Sequence, residues 1–378
     1  MNEKKLTTWE AACIITGYGV GGGVMAMPYL AAKNGAVMAL VILLASFAAS
    51  YVLHVMIAEL SLKSGNSAQI IELFSKYHFN GKHKKVLTAA FFVIMALVLF
   101  TNLAAYISGA AEIICEMLGL SVVMSRLLFY VIAASVVFFG LKVVGISEKL
   151  AVAAIFAVIG LLAVFSLFNI RNAVPADFGT VNQALAYFGM VMFAFSAFFS
   201  VPQAVKGLDG DVPKIKKAVF LGLLNNLILM LVICFCAVVS SVEITELAMI
   251  GWSRGIGAWA EIAGSVFTIL AMLTTYWSIS LALADIVDEQ LHLSRRLCWI
   301  IATIPSLVLT FLGLGGFMEF MRLAGGLIAI MIAIGVVPAY RKCRKEPGEA
   351  LIKHGGTGMQ LLIMLAYVLM AVGNVVPV

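Results

Sequence analysis

Residues 17–28 contain five glycines and one proline within a stretch that is otherwise apolar enough to cross a bilayer. Glycine and proline weaken a helix interior, and a bilayer tolerates freed backbone groups only where protein or water receives them. The stretch therefore predicts a transmembrane helix that is interrupted at a binding site. The N–H groups that start the second half-helix suit a carboxylate, and the carbonyls that end the first suit a cation or an ammonium group.

A second interruption is predicted at residues 195–198, followed by Pro202, which lies 174 residues after Pro28. The two short segments around these prolines are similar, since residues 27–33 and 201–206 both run from an apolar residue and proline to a lysine. Two interrupted helices would offer two sets of free amide donors and two sets of free carbonyls. A zwitterion such as an α-amino acid carries the charges that both sets would satisfy.

The elements that position these residues are membrane helices, because 63% of the 378 residues are hydrophobic and only 12% are charged. Windows of about 20 apolar residues fill nearly the whole chain and leave no soluble domain. The predicted spans are 9–33, 36–61, 86–118, 121–140, 149–169, 180–205, 215–241, 257–287, 294–312, 316–339 and 357–377.

The net charge of +6 is explained by membrane topology and gives no reason to expect a nucleic-acid partner. Basic residues concentrate in cytoplasmic segments of membrane proteins. With the N-terminus inside and the C-terminus outside, all lysines and arginines except Lys33, Arg126, Arg171, Arg254 and Arg322 fall in internal segments. The spans also contain no metal-binding His/Glu cluster and no paired nucleophile and base, so we expect no enzyme activity.

The order of spans repeats, with a first unit over residues 9–169 and a second over residues 180–339. Five spans precede the second unit, and five is odd, so the second unit must be inverted relative to the first. Inverted repeats of this kind occur in many secondary transporters. Residues 357–377 form an extra helix outside the repeat, and the whole chain is one transmembrane domain.

The segments 16–28 and 193–202, followed by Asp209 and residues 213–218, resemble the first and sixth helices of amino acid permeases. The resemblance covers the whole chain and points to the amino acid/auxin permease and hydroxy/aromatic amino acid permease families of the amino acid-polyamine-organocation superfamily. It implies an all-α, eleven-helix membrane protein with the LeuT-like five-plus-five inverted repeat, broken helices 1 and 6, one extra C-terminal helix, and alternating access in the plasma (inner) membrane.

By position, the resemblance implies a substrate site built mainly from backbone. Gly21, Gly22 and Gly23 would hold the carboxylate of the substrate, while carbonyls of the second break would hold its amino group. Tyr106 would close over the substrate, although simple helix packing is an alternative for a tyrosine. Close packing through Gly17/Gly21 and Gly19/Gly23 is likewise an alternative for the glycines. The complete substrate-binding set is Gly19, Gly21, Gly22, Gly23, Asn102, Tyr106, Phe195, Ser196, Ala197 and Phe198.

For ion coupling, the resemblance implies a sodium site at Thr16, Gly19, Ala271, Thr274 and Thr275. Oxygen ligands suit a hard cation, but a threonine hydroxyl in a membrane helix often bonds back to its own helix instead. Residues 150–168 contain no ionisable residue, which favours sodium or a proton carried elsewhere. Glu112 is the proton-carrier candidate, because a carboxyl withdrawn from water favours its neutral form.

The sequence therefore predicts a secondary active symporter of a zwitterionic amino acid, with a lipid bilayer around it and no cofactor beyond a bound sodium ion. An amino acid exchanger or uniporter without ion coupling is the nearest alternative. A channel is the rival from another class, since a glycine-rich segment can form a pore loop. Channels are normally built from repeated subunits around an axis, whereas these two breaks lie in opposite orientations within one chain.

Overall fold

The structure is a computed structural model that describes residues 5–21, 23–65, 68–79, 81–174, 176–244, 248–312, 327–328, 331, 335–352 and 355–376. In these ranges every regular element is a helix, as predicted. Residues 335–343 are helical. The other helices are α1 (Thr8–Gly19), α2 (Gly23–Asn34), α3 (Ala36–Lys63), α4 (Ile70–Tyr77), α5 (Lys84–Leu118), α6 (Val122–Phe138), α7 (Leu141–Leu167), α8 (Val181–Ala194), α9 (Ser200–Gly207), α10 (Val212–Ser240), α11 (Ala248–Ile256), α12 (Ala258–Leu291), α13 (Arg295–Phe311) and α14 (Thr357–Gly373).

Five helices, α3, α5, α7, α10 and α12, are each long and apolar enough to cross a membrane. Helices α6, α8 and α14 are apolar but shorter. The first and sixth predicted spans are each divided into two helices, α1 with α2 and α8 with α9. Most of the predicted span 316–339 lies outside the described residues, so the total of eleven spans stays a prediction.

The first interruption lies at the glycines and not at the proline. Helix α1 ends at Gly19 and α2 begins at Gly23, whereas Pro28 continues inside α2. The second interruption separates Ala194, the last residue of α8, from Ser200, the first residue of α9. Pro202 follows within the first turn of α9, where a proline removes no helical hydrogen bond.

The fifth predicted span begins too late. The prediction places its start at residue 149, but α7 begins at Leu141 and therefore includes Glu148. The run Ser147-Glu148-Lys149 lowers the local hydropathy and so ends an apolar window early. Hydropathy does not register that Glu148 faces the inside of the bundle, where its side chain is fully buried.

Helix α1 is the centre of the bundle, since every residue from Glu10 to Gly19 is buried. It packs against α7, α9, α10 and α12. Thr7 caps its first turn, with Glu10 completing the reciprocal capping box. The Glu10 carboxylate also accepts a 2.6 Å hydrogen bond from Lys142 Nζ of α7. The start of α1 is therefore fixed both to its own cap and to a neighbouring helix.

One end of the bundle, which we call the basic end, joins the start of α1 to the ends of α3, α9 and α12. Leu6 N–H donates to the Gly207 carbonyl at 2.8 Å, which brings the start of α1 to the end of α9. Ion pairs then connect the surrounding segments. They are Lys5–Asp209, Lys206–Asp285, Lys63–Glu59, Lys142–Glu10 and Lys76–Glu346. Basic residues predicted to share one side of the membrane thus share one end of the protein.

Candidate functional site

A small cavity of about 20 Å³ lies between the two helix breaks. It has room for about one or two water molecules, so its walls must move apart to admit anything as large as an amino acid. The lining residues are Tyr18, Gly19, Gly21, Gly23, Asn102, Tyr106, Phe193, Ala194, Ser196 and Ile328. Both breaks and α5 therefore meet at one closed space.

Six of the residues predicted to bind substrate line this cavity: Gly19, Gly21, Gly23, Asn102, Tyr106 and Ser196. Gly22 lies outside the described residues. The other three, Phe195, Ala197 and Phe198, are buried behind the cavity wall. The Phe195 ring packs 6.0 Å from that of Phe47, and the Phe198 ring packs 5.1 Å from that of His54.

Tyr106 approaches the first break closely enough to require a glycine there. A Cβ atom at Gly21 would lie 2.7 Å from the Tyr106 hydroxyl, which is too close for any larger residue without a shift. One turn earlier on α5, the buried Asn102 has an Oδ1 atom with no hydrogen-bond partner in the described residues. Helix α5 thus presents a hydroxyl and an amide oxygen to the same cavity.

His54 of α3 supports the second break from behind. Its Nδ1 lies 2.6 Å from the Ser50 carbonyl, and the Ala197 N–H donates to its Nε2 at 3.1 Å. This pattern is satisfied by the neutral ring with its proton on Nδ1. Ala197 lies between α8 and α9, and its N–H also reaches the Phe195 carbonyl at 2.9 Å. His54 therefore adds a second acceptor, which links α3 to the break.

Asn226 of α10 is a candidate site residue that the sequence analysis missed. Its side chain is fully buried, and neither its Nδ2 nor its Oδ1 has a hydrogen-bond partner in the described residues. A Cβ atom at Gly19 would overlap this amide. Its neighbour Asn225 is different, because it donates to Thr16 Oγ1 at 3.1 Å. Buried amides are normally paired, so the unpaired one at the helix break is the functional candidate.

The residues predicted to bind sodium lie on two sides of α1. On one side, Thr275 Oγ1 of α12 donates to the carbonyls of Gly17 and Ala271, both at 3.0 Å. Thr274 Oγ1 donates to the Ala271 carbonyl at 2.9 Å. These oxygens are hard donors of the kind that sodium takes, and Thr275 joins α12 to α1.

The other two predicted sodium ligands, Thr16 and Gly19, face α10. Thr16 Oγ1 donates to the carbonyls of Ala12 and Gly222, at 2.9 and 3.2 Å. Gly19 lies against Asn226. The structure therefore brings the Thr275 hydroxyl to the Gly17 carbonyl, and it places the Thr16 side chain on the opposite side of α1.

Two carboxyl groups differ sharply in their surroundings. Glu112, the predicted proton carrier, is exposed on the surface of α5 and lacks the buried setting on which that prediction depended. Glu148 of α7 is fully buried beside α1 and α12. Glu148 is not among the predicted site residues, because the fifth predicted span began at residue 149. Its position one residue before a strongly apolar stretch was the feature of the sequence that could have indicated a buried glutamate.

Comparison with known proteins now identifies the family. The model of the tryptophan/tyrosine permease family matches residues 4–374, which is nearly the whole chain. The chain belongs to this family. A permease with two interrupted helices around a closed cavity moves a solute across a membrane, so the protein is a multi-pass membrane transporter of amino acids and not an enzyme.

Individual relatives agree with this assignment. The permease is 24% identical over 356 residues to glutamine transporter 2 of Aliivibrio fischeri, covering 89% of this chain and 90% of that protein. Among solved structures, it is similar to Mhp1, a nucleobase-cation-symport-1 family transporter in a closed conformation with bromovinylhydantoin bound. That match has a TM-score of 0.70 and 13% identity, and covers 98% of this chain and 91% of Mhp1.

A second structural match is MhsT in complex with L-phenylalanine, with a TM-score of 0.62 and 15% identity over 99% of this chain and all of that one. At these identities the matches show the fold alone. The permease therefore has the LeuT-type transporter fold that the resemblance implies, while the count of eleven helices stays a prediction.

His54→Leu should lower both transport and stability, because the buried Ala197 N–H then keeps only the Phe195 carbonyl as an acceptor, and the loss of one hydrogen bond costs about 1 kcal/mol. The measurements are amino acid uptake and the unfolding temperature in detergent. His54→Gln restores a side-chain acceptor and should recover part of the uptake. His83→Leu, at an exposed histidine before α5, is the control. Wild-type uptake by His54→Leu would show that the break keeps its shape without this hydrogen bond.

Asn225→Leu and Asn226→Leu should have opposite effects. Loss of the Asn225 hydrogen bond should destabilise the protein by roughly 1 kcal/mol. Asn226→Leu removes only polar atoms without a partner in the described residues and should leave the unfolding temperature unchanged or raise it. If the amide binds solute when the cavity opens, uptake should fall roughly tenfold. Uptake and unfolding temperature are measured for both variants. Normal uptake by Asn226→Leu would contradict the assignment.

Proposed function

We propose that this permease is a secondary active symporter that carries a zwitterionic amino acid together with a monovalent cation by alternating access. The observation that carries the proposal is the closed cavity between the two helix breaks. Its lining combines backbone of both breaks with neutral side chains. Such a site can hold the two charges of an α-amino acid through backbone dipoles, because half-helix ends bind a carboxylate and an ammonium group.

The cavity lining also restricts the substrate side chain. Among the described lining residues there is no Asp, Glu, Lys, Arg or His. A charged substrate side chain would lose its water there without gaining an ionic partner, which is costly. Aromatic rings and amides are available instead, from Tyr18, Tyr106, Phe193 and Asn102. We therefore favour neutral substrates, with tryptophan, tyrosine, phenylalanine and glutamine first, in agreement with the family description and the named relatives.

Alternating access requires one end of the site to open at a time. In this structure the basic end is closed by the Leu6–Gly207 backbone hydrogen bond and by the exposed Lys5–Asp209 and Lys206–Asp285 pairs. Exposed ion pairs contribute little stability, on the order of 1 kcal/mol or less, so they can break during a transport cycle. We propose that this end faces the cytoplasm of an inner-membrane protein, with the N-terminus inside and the C-terminus outside.

The proposal also includes the superfamily and the arrangement of helices that the sequence suggests. The permease would belong to the amino acid-polyamine-organocation superfamily, near the amino acid/auxin and hydroxy/aromatic amino acid permeases. Residues 9–169 and 180–339 would form the two inverted repeats, with 357–377 outside them. The element order supports this, because each broken pair, α1 with α2 and α8 with α9, is followed by a long apolar helix.

The coupling cation would be sodium or a proton. Sodium would bind at Ala271, Thr274 and Thr275 with Thr16 and Gly19 from α1, and the Thr275 hydroxyl at the Gly17 carbonyl supports the α12 part of that site. A proton would use a carboxyl group, for which the sequence suggests Glu112. Exchange or uniport without an ion is the second candidate, favoured by the hydrogen bonds that already join Thr274 and Thr275 to the Ala271 carbonyl.

Reconstituted transport tests the function directly. The unfolding temperature of the purified permease is first measured with each of the twenty amino acids, with and without sodium, since a ligand at 100 times its Kd stabilises by about 2.7 kcal/mol. Stabilising amino acids are then tested in proteoliposomes for saturable counterflow and for accumulation under a sodium or proton gradient. Accumulation above equilibrium is the expected result. Counterflow alone indicates an exchanger, and unitary currents at channel rates would contradict transport by alternating access.

Thr275→Ala should raise the sodium concentration needed for half-maximal uptake at least tenfold if sodium is the coupling ion, because the variant lacks the hydroxyl oxygen at the Gly17 carbonyl. Sodium dependence of initial uptake rates is the measurement. Thr268→Ala is the matched control, since the Thr268 hydroxyl bonds only to the Gly264 carbonyl of its own helix. An unchanged sodium dependence in Thr275→Ala would remove this residue from the cation site.

A further inference from the structure

We propose that Glu148 supplies the negative charge that binds the coupling cation at the junction of α1, α7 and α12. This inference rests on the proposed ion-coupled symport. It adds that the ligand for the coupling cation is a carboxylate. The cation is a proton or a sodium ion, both of which a buried carboxylate accepts. No carboxylate belongs to the sodium site that the sequence suggests, and the Glu112 alternative lies elsewhere, on the surface of α5.

The carboxyl group of Glu148 is built into the junction by one hydrogen bond. Ser278 Oγ of α12 donates to Glu148 Oε1 at 2.8 Å, and the same hydroxyl lies 3.3 Å from the Ile14 carbonyl of α1. The other oxygen, Oε2, is buried and has no hydrogen-bond partner in the described residues. One oxygen is therefore held in position, while the second is available to a cation.

Gly17 provides the space for the second oxygen. A Cβ atom at this position would overlap Glu148 Oε2 and would lie 2.8 Å from the carboxyl carbon. The glycine therefore permits an approach of the carboxylate to the α1 backbone that no other residue allows. The Gly17 carbonyl itself accepts a hydrogen bond from Thr275 Oγ1. Carboxylate, hydroxyl and carbonyl oxygens thus converge on this turn of α1, and all of them suit a hard cation.

The described residues contain no cationic side chain paired with Glu148. The lysine of α7 that bonds a carboxylate of α1, Lys142, is paired with Glu10. Lys149 follows Glu148 in the chain but is only half-buried. On α1, the Cys13 thiol is close enough to interact electrostatically with Glu148, Lys149 and Glu10. A fully buried carboxylate without an ionic partner is too costly to persist, so it must take up a proton or bind a metal cation.

Because Glu148 lies next to α1, a cation bound there can affect the helix that holds the substrate. Gly17 lies two residues before Gly19, the last residue of α1, and Gly19 and Gly21 line the cavity. A cation on Glu148 removes the repulsion between the carboxylate and the carbonyl end of α1. Without the cation, that end of α1 carries the negative side of its dipole next to an uncompensated charge. Cation and substrate therefore stabilise the same closed arrangement of α1.

The test compares Glu148→Gln with the wild type in proteoliposomes. In one arm a sodium gradient is imposed at equal pH, and in the other a proton gradient is imposed with choline replacing sodium. The arm that drives accumulation by the wild type identifies the cation. Glu148→Gln is nearly isosteric and should accumulate at least tenfold less substrate, and its remaining uptake should no longer respond to that gradient, because a neutral amide cannot supply the negative charge for the cation. Glu261→Gln, at an exposed carboxyl of α12, should behave as the wild type.

Accumulation by Glu148→Gln equal to that of the wild type would overturn the assignment while leaving coupled symport intact. A wild type that exchanges but accumulates under neither gradient would instead overturn the proposed coupling itself. Glu148→Asp is the alternative test variant if Glu148→Gln does not fold. Its shorter carboxylate is withdrawn from Gly17, and the cation concentration for half-maximal uptake should rise at least threefold. An unchanged value in a folded Glu148→Asp protein would also contradict the proposal.

Discussion

Backbone groups that lose their helical partners inside a membrane must be received by something else, and this constraint organises the centre of the permease. Both interrupted helices end in the middle of the bundle, at Gly19 and at Ala194. Unpaired N–H and C=O groups there have no access to bulk water, and each would cost several kcal/mol in hydrocarbon. The surrounding helices therefore present polar side chains at these points, although they are otherwise almost entirely apolar. The His54 ring that accepts from Ala197 N–H is the clearest example.

The glycines of the first break serve close approach as much as flexibility. Three of them face three different helices, and each of these three admits a polar group that a Cβ atom would crowd. Gly17 admits the Glu148 carboxylate, Gly19 the Asn226 amide, and Gly21 the Tyr106 hydroxyl. Three helices, α7, α10 and α5, thus place polar atoms against a few residues of backbone. A break made only to bend the chain would need fewer glycines and would not need polar neighbours on three sides.

The sequence was sufficient for the broken helices because glycine, proline and hydropathy are local properties. With the help of a family resemblance it also selected Gly19, Gly21, Gly23, Asn102, Tyr106 and Ser196, which line one cavity, and their role in substrate binding stays a prediction. It missed Glu148 and Asn226 for a physical reason. Whether a polar residue in a membrane helix faces lipid or the bundle interior depends on helix rotation and on neighbours distant in sequence. Glu112 and Glu148 look alike in sequence, yet the first is exposed and the second is fully buried.

The arrangement around α1 is compatible with the proposed symport, in which a cation at Glu148 and a substrate at the cavity would contact different parts of one helix. Asn226 and the hydrogen-bonded Thr16 lie on the α10 side of α1, whereas Glu148 and Thr275 lie on the α7 and α12 side. The cavity lies beyond the end of α1, at Gly19 and Gly21. In the proposed symport, a cation bound beside α1 and a zwitterion bound at its end would act on the same short, buried helix. Occupation of one site would then change the free energy of binding at the other, and this is how the two solutes would be coupled.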